Sequence, residues 1–381
     1  MKTGIANLPL HYGKTPRWLF ERMKLLAREI AIVVVDEFGT EEMLRRLSDP
    51  FWFQAFGCVL GFDWHSSGVT TTTCGALKEG IKGLEQELGL FVAGGKGSTS
   101  RRTPHEIEAR GHLLVIHPAP LIYASRMAAK VDNTALQDGY QIYHHTFIFD
   151  REGRWCVVQQ GMNPATRYAR RYHWLSDDAM SRLMGKRGSS AKRRDIASEG
   201  VKDFVCEPHA AICCDERGEP LNMVAAESEG ARKASTRLSQ EKPWRLVGEL
   251  KKLKNLELPA RHQVLLRDIH PDRLAGIFLK TCERQPEDFE RLLGMRGVGP
   301  KTIRALSLLS ELVYGARVSF RDPVRYSFAH GGKDGHPYLV DRAVYDRSIE
   351  AMERAIRQAK LGQRERLEAF RRLGRLAYPA P

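Results

Sequence analysis

One stretch limits what this chain can fold into more than any other: Pro286 to Gly315, PEDFERLLGMRGVGPKTIRALSLLSELVYG. Pro286, Glu287 and Asp288 open a helix, and Phe289, Leu292 and Leu293 supply its apolar face. Gly294 to Gly299 leave room only for a tight turn, and Pro300 suits the first position of a second helix. Ile303, Leu306, Leu309, Ser310 and Val313 then recur at helical spacing until Gly315 ends the run. Two helices joined through Gly-x-x-Gly-Val-Gly work as one physical device. Glycines let an anion come close to the backbone, and the unpaired amides and dipole of the second helix receive it.

This is the helix–hairpin–helix pattern, which holds a nucleic-acid backbone without reading bases. The expected contacts are Arg296, Gly297, Val298, Gly299, Lys301, Thr302 and Arg304. An ordinary helical hairpin with a glycine turn is the plainer alternative, and charge argues against it. The 381 residues carry 60 Lys+Arg against 46 Asp+Glu, a formal net charge of +14. From Glu241 to the end there are 28 basic and 18 acidic residues, so the excess is concentrated in the C-terminal part. Between Arg291 and Lys333 only Glu311 and Asp322 oppose eight cations. A polyanion is the partner such a surface asks for, and DNA is the first candidate.

The hairpin residues Leu293, Gly297, Gly299, Lys301 and Thr302, with Asp322 after the second helix, stand in a familiar order. In this the C-terminal part resembles the helix–hairpin–helix base-excision DNA glycosylases. The resemblance implies that Lys301 attacks the sugar C1′, as in glycosylases that also cut abasic sites, and that Asp322 supports departure of the base. A Lys amine in the first turn of a helix can form a Schiff base, and a carboxylate can stabilise an oxocarbenium-like sugar. In the alternative, Lys301 only contacts phosphate and Asp322 is a cap or an ion-pair partner of Arg321 or Arg325. No four-cysteine cluster motif follows, and no metal or other cofactor is expected.

Elsewhere the pattern is mixed α/β. Pro16 to about Ile30 has helical apolar spacing, and Thr40 is placed to cap a second helix through Met43, Leu44 and Leu47. Gly94 to Thr103 (GGKGSTSRRT) reads as a flexible basic loop. His112–His117, Gln141–Phe149 and Trp155–Gln159 read as strands, the last two as a β-hairpin around Gly153. The expected architecture is a mixed α/β domain over residues 1–184 and a charged middle segment over 185–241. An all-α domain containing the hairpin follows over 242–381. The stretches LPLHYGKTPRWLFERM and PFWFQAFGCVLGFDWHSSGVTTTTCGALKEG resemble an uncharacterised prokaryotic family, the domain of unknown function 763, over most of the chain. That resemblance implies a shared architecture and no particular reaction.

Other residues offer chemistry with bland alternatives. Asp63 and His65 could bind a metal or work as an acid/base pair, or belong to a Ser/Thr-rich turn that caps the next helix. His330, Lys333, Asp334, His336 and Tyr338 could line a substrate pocket, or a glycine-rich surface loop. Cys206, His209, Cys213 and Cys214 have metal-ligating side chains, but adjacent cysteines suit a tetrahedral site poorly, so buried thiols are expected. His144 and His145 would point to opposite faces of a strand. Thr166 to Trp174 interleaves cations with aromatics, as a platform for bases does, or as an amphipathic segment packed into a core. The longest apolar candidate, Ile30 to Val35, is far short of the roughly 20 residues of a membrane span. With no apolar signal core and seven scattered cysteines, a cytoplasmic protein without a membrane partner is expected. The leading expectation is a DNA-repair glycosylase. The alternatives are a metal-dependent nuclease with its active site in the N-terminal domain, or a DNA-binding protein without catalysis.

Overall fold

The computed structural model describes residues 15–61, 67–176, 203–214, 217–254, 268–324, 350, 353–358, 362–363 and 366–371. The chain begins with helix α1 (Arg17–Ser48), whose buried Met23, Leu26, Ala27, Ile30, Ala31 and Val34 repeat every three or four residues. Gly39 breaks its helical geometry at φ 85°, a value an L side chain resists, so the expected two helices are joined there by a kink. Thr40 does not cap the second part; its hydroxyl donates to Asp150 Oδ2 at 3.1 Å. Asp49 then caps α2 (Pro50–Leu60), accepting from the Phe51 and Trp52 amides at 2.8 and 3.2 Å. Helix α3 (Gly68–Gly80) and the short α4 (Glu85–Leu88) complete a helical layer.

Strand β1 (Leu90–Lys96) follows, and after it a 3₁₀ turn over Gly97–Arg102 and α5 (Thr103–Glu108). The expected basic loop at 94–103 is therefore ordered: Gly94 and Gly95 belong to the strand, paired with Thr146 and His145. The run His112–His117 is not a strand. Gly111–Leu113 form a 3₁₀ turn, and the Val115 amide makes a single bond to the Arg151 carbonyl. Apolar composition alone does not make a strand without a neighbour to complete the ladder.

Helix α6 (Ala119–Lys130) runs into a π-helical turn at Val131–Ala135. The short β2 (Leu136–Gln137) comes next, then the hairpin of β3 (Gln141–Asp150) and β4 (Trp155–Asn163), close to the expected bounds. Strands β5 (Tyr168–Leu175) and β6 (Ala211–Cys213) complete an antiparallel sheet of order β1-β3-β4-β5-β6. The two-residue β7 (Leu221–Asn222) pairs with β2. The rest is helical: α7 (Glu229–Ser239), α8 (Pro243–Lys254), α9 (Pro271–Arg284), α10 (Phe289–Gly294) and α11 (Pro300–Tyr314).

Alternation along the strands divides the core. Leu90, Val92, Ile148, Cys156 and Val158 pack with α1 to α3. Phe91, Phe147, Trp155, Val157, Tyr172 and Trp174 form one cluster with α6 and the helices that follow, including Phe278, Leu293 and Leu306. The molecule is thus a mixed helix-and-sheet structure with an antiparallel sheet covered on both faces. No helix among the described residues is long and apolar enough to cross a membrane.

The sheet interior also holds His144, His145 and His173, all buried. Burial lowers the basicity of each, and neighbouring His145, Lys96 and Arg171 add to it at His144, held down at about 3. Unfolded, they titrate near 6.5. The unfolded chain therefore takes up protons first, and stability is lost as pH falls from about 6.5 towards 3. The expected slope below pH 6.5 is up to about 1.4 kcal/mol per pH unit for each histidine kept neutral. Urea titrations from pH 7 to 5 should show it, with a shallower slope in His173→Phe. A pH-independent midpoint would refute the reading.

Candidate nucleic-acid interface and the His209–Asp322 cavity

The candidate interface is built from the glycine turn between α10 and α11. Asp288 caps α10 by accepting from the Arg291 amide at 2.7 Å, and α11 begins at Pro300 with Gly299 as its N-cap. Gly297 takes φ +101°, which turns the chain so sharply that a side chain there would be strained. At Gly299 a Cβ would meet no atom within 4 Å, so this glycine leaves open space in front of the helix. Arg296, Gly297, Pro300 and Lys301 are exposed, whereas Val298, Thr302 and Ile303 are buried and hold the turn to the core. Thr302 and Ile303 donate to the Gly299 carbonyl at 3.0 and 3.1 Å. The amide of Lys301 meets no acceptor among the described residues, as expected in the first turn of a helix.

The carbonyl side of the turn is tied down from α6 and β2. Lys130 Nζ donates to the Val298 carbonyl, and burial lowers its basicity. Gln137 Nε2 donates to the Pro300 carbonyl at 2.9 Å, and Arg304 Nε donates to Gln137 Oε1 at 2.9 Å. Arg304 is thus committed to the fold, while the amide side of the turn faces outward.

Asp322 lies after α11, on a segment that returns to β7, where Ser319 pairs with Asn222. Both carboxylate oxygens accept. Arg170 on β5 donates to Oδ1 at 3.2 Å and to Oδ2 at 2.9 Å, with the Gly218 amide on Oδ2 at 2.8 Å and the Val324 amide on Oδ1 at 3.0 Å. Arg170 also reaches Asp138 at 3.0 Å and stacks on Tyr140. Burial works against this charge, but Asp138, Tyr172 and Asp322 outweigh it and hold the proton more firmly. Of the partners weighed for this carboxylate from the sequence, Arg321 or Arg325, the first does not pair with it and the second lies outside the described residues; the ion pair is made with Arg170.

Asp322 borders a cavity of about 340 Å³ that also meets Glu207, His209, Arg217 and Arg321. Lys301 is not among the residues lining it. His209 is the part of this site that sequence reasoning missed, having been weighed only as a metal ligand. Its Nε2 meets Asp132 Oδ1 at 2.5 Å and, facing a carboxylate, is the donor of that bond. Asp132 is fully buried in the π-helical turn after α6. It also accepts from Trp174 Nε1 at 3.0 Å and from Gln159 Nε2. Gln159 Oε1 accepts from His145 Nδ1 at 2.7 Å, and His145 Nε2 accepts from Ser125 at 2.9 Å. A connected polar chain thus runs through the sheet to an imidazole at a cavity, the arrangement that orients a general base. Only the π-turn that follows α6 brings Asp132 there, and no spacing rule reports that.

The other expected residues separate. Cys213 and Cys214 are buried and Cys206 half-buried, all free thiols. Cys214 lies against the Tyr140 hydroxyl at 3.3 Å, and no group of three metal-ligating side chains occurs among the described residues. Thr166–Trp174 does not form a base platform, because Arg170, Arg171, Tyr172 and Trp174 are all buried in β5. Asp63, His65, His330, Lys333, Asp334, His336 and Tyr338 lie outside the described residues.

Arg170→Met would leave two carboxylates buried beside an apolar side chain. A loss of about 3–5 kcal/mol in urea denaturation is expected, and a loss below 1 kcal/mol would show the cluster to be dispensable.

No curated protein and no solved structure matches the chain. The model for the family described as "Protein of unknown function (DUF763)" matches residues 4–186 and 180–340, so the chain belongs to that family.

Proposed function

We propose that the protein binds DNA by its backbone at the 296–304 turn and acts as a base-excision glycosylase at the His209–Asp322 cavity. The carrying observation is the exposed glycine turn, with open space before α11 and Lys301 in its first turn. A phosphate meets there the helix dipole, a bare amide and an ammonium group. The turn resembles a helix–hairpin–helix, and the basic stretch around it supports a polyanionic partner.

The cavity suits hydrolysis of an N-glycosidic bond. His209 Nδ1 takes a proton from water, and the resulting hydroxide bonds to C1′. The bond from C1′ to the base breaks, and its electron pair leaves with the base, which is protonated by solvent. Asp322, ion-paired with Arg170, faces the positive charge that develops on the sugar. Such a reaction needs the nucleotide flipped out of the helix, which is cheapest for damaged or mispaired bases.

A second reading rests on Lys301 itself. Its amine attacks C1′, expels the base and leaves an imine that permits strand scission. Its position on the turn and outside the cavity lining favours water as the nucleophile and a phosphate contact for Lys301.

Gly299→Leu should fold normally, since an added Cβ there meets no atom within 4 Å, yet weaken duplex binding equally on all sequences. Lys301→Gln should lower the salt slope of log K by about 0.9, one phosphate's share. Fluorescence anisotropy on duplexes measures both, and unchanged affinity in both variants would remove the turn as the interface. On oligonucleotides carrying single lesions, Asp322→Asn and His209→Gln should bind but lose base release by about 100-fold or more. Borohydride trapping through Lys301 would establish the second reading instead. Cleavage of undamaged DNA dependent on Mg²⁺ and Asp63 would replace both with a nuclease, and binding with no reaction on any substrate would leave a DNA-binding protein.

A further inference from the structure

On the other side of the sheet from the turn, a groove of about 1490 Å³ runs between the start of α1, α3, the end of β1 and the 3₁₀ turn after it. At several times the size of the His209 cavity, it exceeds the usual 300–1,000 Å³ of a small-molecule pocket and suits a polymer. Two of its cations are neutralised, Lys78 by Glu106 at 2.6 Å and Arg110 by Glu85 at 3.7 Å. Four more, Arg17, Lys82, Lys96 and Arg102, line it with no ion-pair partner among the described residues, opposed only by Glu79. Tyr143 and Phe20 are among its lining residues, and the Lys96 ammonium lies 5.8 Å from the Tyr143 ring centroid. Gly95 and Gly97 leave the adjoining wall without side chains.

We propose that this groove binds a single strand of nucleic acid, its phosphodiester backbone on Lys82, Lys96 and Arg102 and a base against Tyr143. A charged channel with interspersed aromatic faces is what unpaired strands use, because every base has a face to stack and every linkage a charge to neutralise. A duplex would present no free base face to Tyr143. The groove and the glycine turn are built from different elements on opposite sides of the sheet, so they act as separate contacts.

The test is fluorescence anisotropy of the full chain with a labelled oligothymidine single strand and a labelled duplex, in wild type, Lys96→Ala/Arg102→Ala and Lys301→Gln. Both groove residues are exposed, and circular dichroism confirms the fold of each variant. The groove variant should bind the single strand about tenfold or more weakly, with a salt slope reduced by about 1.4 for two lost phosphates, and should keep its duplex affinity. Lys301→Gln should show the reverse. A groove variant with unchanged single-strand affinity overturns the proposal, as does a wild type that binds duplex alone, which leaves the turn intact as an interface. Single-strand binding with no duplex binding would keep the groove and remove the turn. Release of the single strand by vesicles of anionic lipid, at lower phosphate concentration than by unlabelled oligonucleotide, would assign the groove to a membrane surface and overturn it too.

Discussion

The guanidinium of Arg170 holds the two halves of the molecule in register. It sits on the central part of β5, one per cent exposed, and binds Asp138 ahead of β3 and Asp322 beyond α11. Moving three charges out of water is expensive, and only close geometry and further hydrogen bonds repay it. Those are present: Tyr172 donates to Asp138 at 2.7 Å, and the Gly218 and Val324 amides complete Asp322. The segment after α11 can dock only in the position that satisfies this cluster. That docking also sets Asp322 at the rim of the cavity.

The same economy governs the rest of the polar interior. Asp132 is buried without an arginine and is instead surrounded by donors from Gln159, Trp174 and His209. Each donor comes from a different element, so the carboxylate fixes β4, β5 and the 203–214 segment around the π-turn. Trp174 meets the His209 ring edge-on at 4.6 Å, leaving the imidazole little freedom to rotate. The imidazole is thus held in one orientation at the edge of the cavity.

Much of the frame was legible in the residues. Pro300, Gly315 and the apolar spacing between them mark α11, and Asp288 marks the start of α10, because helix termini have local chemical requirements. The β3–β4 hairpin was legible for the same reason. His112–His117 misled, since its apolar composition suits a strand but pairing needs a neighbour. The 94–103 segment misled in the other direction: its glycines and cations read as a loop, although pairing with β3 makes Gly94 and Gly95 part of a strand. At Thr166–Trp174 the aromatic and basic alternation was real, but long-range carboxylates drew Arg170 inward.

By itself, then, the amino-acid order determined the local elements, the basic character of the C-terminal half and the glycine turn that opens α11. These depend on neighbours a few residues apart. Only the tertiary structure decided that Asp322 pairs with a residue 152 positions earlier and that Asp132 backs His209 across 77. It alone also gathered the cations of α3 and the β1 turn along one groove. Burial energetics choose such partners among all the charges in the chain, and that choice is made when the core closes, not along the backbone.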